Sequence, residues 1–553
     1  MMLLHQYKRQ LQNIAAVVAL ALLLLWPAYV NGEPFYMTDT SSYLRGADAA
    51  AHWLTGHRTI WTDELFQRFP RSGGAVNMSS PRSETPVVLA GRSVYYGILL
   101  YMAQFVGNFW AAAVLQALLV ATSIAITISV FRHRQNGDVN RAPAAASILV
   151  IGALLAAFTP VAYFADFLMP DIFGALGLLA FAHLAFLWKE NNRASRAFWF
   201  LLLLSAMLFH TANIVLTAVL TAVGALCAVL KVGPAGMKFR AIAAALLLAA
   251  AGQALFSWSV KHATGAPPIR PPFVAARIID DGPGYDYLRE HCPQADLIFC
   301  RSASFRTRIS DSLLWSPDPR LGIFQALSPS EQRLASEQQT RFVLDVLRDR
   351  PFPLMKSSLR AVFRQAAHLD LTGFNYTPQN IDYFDHKLPP PFIDHARSSR
   401  AFKGTMPVRF AEVATATAVL ASLLVIFWVL IDDIRRSRTP SPKHAWVIAL
   451  LLGVLLNAAV CGALSTPKGR YQMRLIWVLP FAALLIVPRR ERRRWLIFKR
   501  AANPRRSARL RLRQDCRGLL ASFDSLKRPE WKQPLDWRAA AGKLPASCSD
   551  SPQ

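Results

Sequence analysis

The feature that most constrains this chain is a series of apolar runs, each about long enough to cross a bilayer, separated by polar or basic connections. A spanning helix needs about 20 apolar residues to cover roughly 30 Å of hydrocarbon, and Leu11–Val30 is the first such run. A signal peptide has a shorter apolar region and a small-residue cleavage site. This run is long and carries Trp26, Pro27 and Tyr29 at its far end, so it reads as an uncleaved first span. Lys8 and Arg9 precede it and place the N-terminus in the cytoplasm by the positive-inside rule. Composition agrees: 53% of the residues are hydrophobic and 17% charged, against roughly 45–50% and about 25% in soluble domains. The chain is therefore not collagen-like, disulfide-dense or wholly disordered. Its net charge of +28 has to be understood by where the cations sit.

The parity of crossings follows from those cations. Residues 32–92 form a first external loop, interrupted by Gly32, Pro34, Pro70, Pro81 and Pro86. The apolar stretch from Ser93 ends at the basic Arg132-His133-Arg134, which requires an odd number of crossings. It divides into an interfacial helix near Val94–Val106, with Tyr95, Tyr96 and Tyr101 at headgroup depth, and a span over Asn108–Phe131. Ala144–Trp188 lies between Arg141 and Lys189 and crosses twice, with its outer turn at Pro160–Pro170. Ala197–Leu230 crosses twice between Arg196 and Lys231, turning at His210-Thr211-Ala212-Asn213. Ala241–Val260 is a seventh span. Phe410–Ile431, Ala445–Leu464 and about Tyr471–Val487 complete the set.

The expected fold is thus an all-α polytopic membrane protein. It has about ten transmembrane helices and a mainly α external, periplasmic domain between the seventh and eighth. The parts are a transmembrane core over 1–260, the external domain over 261–408, C-terminal transmembrane helices over 409–487 and a basic cytoplasmic tail over 488–553. The cations at Arg132, Arg141, Lys189, Arg196, Lys231, Lys238, Arg435 and Lys443 all fall on the inner side. The tail run Arg489-Arg490-Glu491-Arg492-Arg493-Arg494 suits anionic lipid, at about 1 kcal/mol per basic residue near the surface. No nucleic-acid-binding module accompanies it, so membrane lipids and not nucleic acid are its expected partners. The scheme places the protein in the plasma membrane, the inner membrane if the source is bacterial, with both termini cytoplasmic.

Among the six cysteines, Cys227 and Cys461 lie in spans and Cys516 and Cys548 in the tail. Cys292 and Cys300 share the external segment, where a short disulfide loop suits an oxidising compartment. Zinc would need more Cys or His at ligand spacing, and only His291 is adjacent. Within the same domain Ser328–Arg350 has helical texture, and Pro389-Pro390-Pro391 reads as an extended return to the membrane. Asn77-Met78-Ser79 has the form of a glycosylation acceptor.

Candidate chemistry gathers at the outer ends of the spans. Asp39 lies just past the first span, and Tyr43, Ala47, Ala50 and Leu54 recur after it at helical spacing. A juxtamembrane helix there would hold the acid at headgroup height, within reach of a hydroxyl it could deprotonate. The other reading is an N-cap, with Ser41 or Ser42 as rivals. Asp166 and Asp171 flank the second outer turn, where they could join Asp39 or bind a divalent cation; Asp171 after Pro170 also suits a plain helix start. His210 at the third outer turn is either a proton carrier or a hydrogen-bond donor that binds a sugar, or part of an ordinary polar turn. The last outer turn, Ser465–Arg474, carries Lys468, Arg470 and Arg474 against the positive-inside rule. A phosphate would compensate those cations, because guanidinium forks match its oxygens in pairs; ordinary phospholipid headgroups would do the same.

Together these pieces resemble the GT-C superfold of integral-membrane glycosyltransferases that use polyprenyl-phosphate-linked sugars. The resemblance rests on an acid in the first external loop followed by a Tyr and a juxtamembrane helix (Asp39, Tyr43), an acidic second turn (Asp166, Asp171), and a basic Arg-Tyr turn before a late span (Arg470, Tyr471, Arg474). It covers mainly residues 1–260 and 445–487. It implies a membrane glycosyltransferase that moves a sugar, with inversion, from a polyprenyl-phosphate carrier to an envelope glycan or lipid acceptor on the external face. Asp39 would be the catalytic base. Tyr43, Asp166, Asp171, His210, Arg470, Tyr471 and Arg474 would bind substrate, with Arg470 and Arg474 stabilising the departing phosphate. Thr40 follows Asp39 where the family more often has an Asp-Glu pair, so a divalent cation is only a possible cofactor. The alternative is a transporter or flippase of a lipid-linked or anionic substrate, for which His183 is the clearest ionisable residue inside a span.

Overall fold

The computed structural model describes residues 2–57, 59–61, 88–133, 145–230, 238–305, 308–436 and 441–487. The glycosylation-type triplet at Asn77, the Arg489–Arg494 run, Cys516 and Cys548 lie outside them. The described residues form an all-α structure, with no strand among them.

Helix α1 (Met2–Leu24) continues after a one-residue break into α2 (Trp26–Asn31), whose Pro27 is tolerated because it falls in the first turn. α3 (Thr40–Thr55) follows. α4 (Val94–His133) is kinked at Gly107 and Asn108, where φ and ψ leave the helical region. The Asn108 side chain accepts from the Phe109 N–H at 2.8 Å at this break. That break separates the two pieces expected from sequence.

α5 (Ala145–Phe158), the short α6 (Val161–Ala165) and α7 (Ile172–Phe186) come next. Every residue of α7 from Ile172 to Ala185 is buried. A helix apolar on all sides belongs at the centre of a bundle, where it need not match the bilayer's full thickness. α8 (Arg193–Phe209) and α9 (Thr211–Val229) meet at His210, and α10 (Phe239–Thr264) closes the N-terminal set.

α11 (Phe273–Asp280), α12 (Pro283–His291), α13 (Ser310–Trp315) and α14 (Pro329–Asp349) share a separate hydrophobic core around Ile279, Leu288, Phe299, Phe324 and Phe342. Cys292 and Cys300 are joined by a disulfide within it. α14 begins with a capping box, Ser328 and Glu331 satisfying each other's backbone N–H groups. α15 (Pro351–Ala367), α16 (Pro378–Lys387) and α17 (Pro390–Ser398) follow. Here Leu371, Phe374, Tyr376, Phe384 and Ile393 belong to the main core and not to the separate one. The Pro389–Pro391 segment opens helix α17, because proline is accepted in a first turn. It does not stay extended.

α18 (Val408–Arg435), α19 (Pro442–Leu464), α20 (Gly469–Ile476) and α21 (Val478–Ile486) end the described chain. Among the described residues six helical stretches are long and apolar enough to cross a membrane: Tyr7–Asn31, Val94–Arg132, Thr211–Val229, Phe239–Thr264, Val408–Arg435 and Pro442–Leu464. Ala145–Phe158 and Ile172–Phe186 are apolar but shorter.

Candidate functional site

The loop between the first helix and α3 is pinned from below. Phe35 donates its N–H to the Asp166 carbonyl at 3.0 Å, and the Leu168 N–H returns to the Phe35 carbonyl at 2.9 Å. Thr40, fully buried, accepts from the Met37 N–H at 2.9 Å and donates to the Leu168 carbonyl at 3.1 Å. These bonds fix the start of α3 against the segment that leads into α7.

Asp39 therefore stands at a defined place. It occupies the N-cap position of α3 without a side-chain capping bond. Its carboxylate turns instead to two guanidinium groups. Arg92 donates to Oδ1 in a close ion pair, and Arg470 lies 3.7 Å from Oδ2. Burial raises the Asp39 pKa, and Arg92 with Arg470 more than reverses this, holding the carboxyl below its ordinary value. Tyr43, one turn further on, is buried with its ring edge-on to Tyr96 at 5.2 Å.

α20 supplies the basic side. The Gln365 side chain clamps the residue before it, donating to the Lys468 carbonyl at 2.9 Å and accepting from its N–H at 3.0 Å. Arg470 and Arg474 both lie over the Tyr471 ring, at 5.1 and 5.3 Å. Arg474 and Asp171 face each other at 3.4 Å, each 2% exposed. Arg474 also approaches Asn457 Oδ1 at 3.4 Å and Cys461 Sγ at 3.7 Å. Asp171 thus occupies a helix start, as one reading expected, but commits its carboxylate to α20 without making a cap bond.

His210 caps α9 by accepting the Ala212 N–H on Nδ1 at 3.2 Å. Burial first, and then Arg474, Arg470 and Arg92, bring its pKa down to about 3, so the ring is neutral at physiological pH.

Asp166 stands apart. It is fully buried, its Oδ2 accepts the Ala28 N–H at 2.8 Å, and its Oδ1 has no partner. Its bonded oxygen is turned toward α2. The three acids considered for a divalent cation therefore point to different partners. Among the described residues the His and carboxylate group with ligand-like spacing is Glu290, His291 and Asp349, in the separate core region.

Arg92 was absent from the candidates drawn from sequence. It sits at the end of a polar loop, and nothing in its local pattern marks it; only the approach of α4 to α3 brings it to Asp39. The site as a whole is electropositive: Arg92, Arg470 and Arg474 face Asp39 and Asp171, while Lys468 pairs with Asp311 at 2.9 Å. At this site four buried guanidinium nitrogens have no acceptor among the described residues: Arg92 Nε, Arg470 Nε and Nη1, and Arg474 Nε. Such an arrangement can hold an anion beside a carboxylate. Comparison with protein-family models, with curated proteins and with solved structures gave no match.

Proposed function

We propose that this chain is an integral-membrane glycosyltransferase that takes a sugar from a polyprenyl-phosphate carrier and places it on an envelope glycan or lipid acceptor. The observation that carries the reading is the meeting of Asp39 with Arg92 and Arg470 beside buried guanidinium donors that lack acceptors. A base for an acceptor hydroxyl and a cradle for a phosphate leaving group stand side by side.

In this mechanism the carrier phosphate is held by Arg470 and Arg92, with Arg474 behind them. As the phosphate draws the guanidinium groups toward itself, Asp39 regains basicity that those cations suppress in the free site. The acceptor oxygen attacks the anomeric carbon and its proton passes to Asp39. The sugar–phosphate C–O bond breaks, its electron pair stays on the phosphate, and the arginines stabilise that charge. Inversion follows from a single displacement. Neutral His210 and the Tyr43 hydroxyl are the hydrogen-bonding groups for the sugar.

The same proposal takes Ala145–Phe158, Ile172–Phe186, Arg193–Phe209 and the pair Gly469–Ile476 and Val478–Ile486 as further crossings. With the six long apolar helices they make ten. Both termini are then cytoplasmic, and the site and residues 261–408 face the outside of the plasma membrane, the periplasm in a bacterium.

The test compares envelope glycans and glycolipids by mass spectrometry in a deletion strain complemented with wild type or Asp39→Asn. Loss of one sugar, restored by wild type and not by an equally expressed Asp39→Asn, is the expected result. Rescue by Asp39→Asn removes the base, and an unchanged glycan profile transfers the reading to transport.

A further inference from the structure

α15 has three distinct sides. At about 100° per residue, Phe352, Met355, Leu359 and Phe363 fall within an arc of about 80°, and they are 75%, 55%, 50% and 72% exposed. Lys356, Arg360 and Arg364, all exposed, occupy the next arc. Ala361 and Gln365 are buried on the opposite side. Single exposed apolar residues are ordinary, but four in a row along three turns of one helix are a surface that wants a partner.

The helix's seat identifies that partner. Its buried side is pressed on α19, a candidate span: a Cβ added to Gly462 would lie 2.8 Å from the Ala361 carbonyl oxygen, so only glycine permits this approach. Gly462 is two residues from the end of α19, where a span leaves the hydrocarbon. Gln365 is tied to Lys468 just beyond that end. A helix held at that level, with an apolar arc and an adjacent basic arc, has the pattern of one seated in the interfacial layer, its rings among acyl chains and its cations reaching headgroup phosphates.

We propose that α15 is a membrane-surface element whose Phe352–Phe363 face is immersed in the lipid leaflet on the site's side of the membrane. Residues 351–367 are then not part of a freely projecting domain. They anchor the turn that carries Arg470 and Arg474, through Gln365, to the bilayer. This inference rests on the chain's insertion in a membrane and not on the proposed transfer chemistry.

The full chain, reconstituted in phosphatidylcholine–phosphatidylglycerol vesicles containing a phosphatidylcholine with a diazirine in its acyl chain, tests it. After irradiation and proteolysis, adducts are mapped by mass spectrometry. The expected result is labelling within 352–363 comparable to that at the exposed span residues Leu420 and Leu424, with none at Leu334, Leu344 and Leu347 of α14, which are also exposed. Labelling at Leu420 and Leu424 with none in 352–363 overturns the proposal. So does labelling of α14 equal to that of α15.

Discussion

Replacing Asp171 with Asn removes the partner of Arg474 and nothing else of that size or shape. The two groups stand 3.4 Å apart and are each 2% exposed. At that distance and an effective dielectric of about 20 the attraction is about 5 kcal/mol. The cost of desolvating both ions offsets most of it, so the intact pair contributes little net stability, whereas deleting one member of a buried pair costs about 3–5 kcal/mol. The remaining contacts of Arg474, to Asn457 at 3.4 Å, Cys461 at 3.7 Å and the face of the Tyr471 ring at 5.3 Å, offer no anionic partner, and its Nε has no acceptor. They cannot take over the charge. An unfolding entropy of about 2.1 cal/mol/K per residue, taken over the described residues alone, amounts to about 1 kcal/mol per degree, so Asp171→Asn lowers Tm by about 3–5 °C. Tryptophan-fluorescence melting in detergent reads this for Asp171→Asn, Arg474→Gln and the double variant. The double variant regains most of the loss, because it buries no unpaired charge. A change below about 1 °C in Asp171→Asn, or strictly additive losses, refutes the argument that a buried ion pair holds α20 to α7.

Burial raises the Glu33 carboxyl to about 8, so the folded state keeps it protonated while the unfolded chain ionises above its ordinary value near 4.5. Stability from this group is therefore present at low pH and falls as pH rises from about 4.5 to about 8. Glu33→Gln gains Tm relative to wild type across that window, and parallel melting curves from pH 5 to 8.5 would show that Glu33 does not titrate there. Gly97 lies where an added Cβ would overlap the Tyr43 carbonyl oxygen, so Gly97→Ala costs about 1–3 kcal/mol by forcing α4 from α3. Gly46, on the exposed side of α3 with nothing within 4 Å of an added Cβ, behaves oppositely: Gly46→Ala stabilises by about 0.5–1 kcal/mol. The same melting assay measures both, and equal effects would contradict the packing described at Tyr43.

Much of the fold was legible because lipid imposes a simple rule: backbone polar groups must be satisfied within the segment, so apolar runs become helices. The interruptions were legible too. Gly107–Asn108 and His210 are local breaks that the chain's own composition marks, and the structure turns or kinks at both. The single pair of cysteines outside the spans and the tail was enough to name Cys292 and Cys300. The candidate site was legible only as separate residues. Asp39, Asp171, His210, Arg470 and Arg474 each stood out as polar groups at the end of an apolar run.

What the sequence by itself determined is the helical character, the helix breaks and the excess of cations in the last turn, since each follows from interactions among neighbours in the chain. Tertiary structure alone decided that Asp39 pairs with Arg92 and Arg470 and does not cap α3, and that Asp171 meets Arg474 across 303 positions. It also turned Asp166 toward Ala28 and drew residues 371–406 into the main core, away from 269–346. Pairings of this kind depend on which helices cross and at what height. Apolar periodicity is nearly the same for every lipid-facing or buried helix, so it carries no record of those crossings.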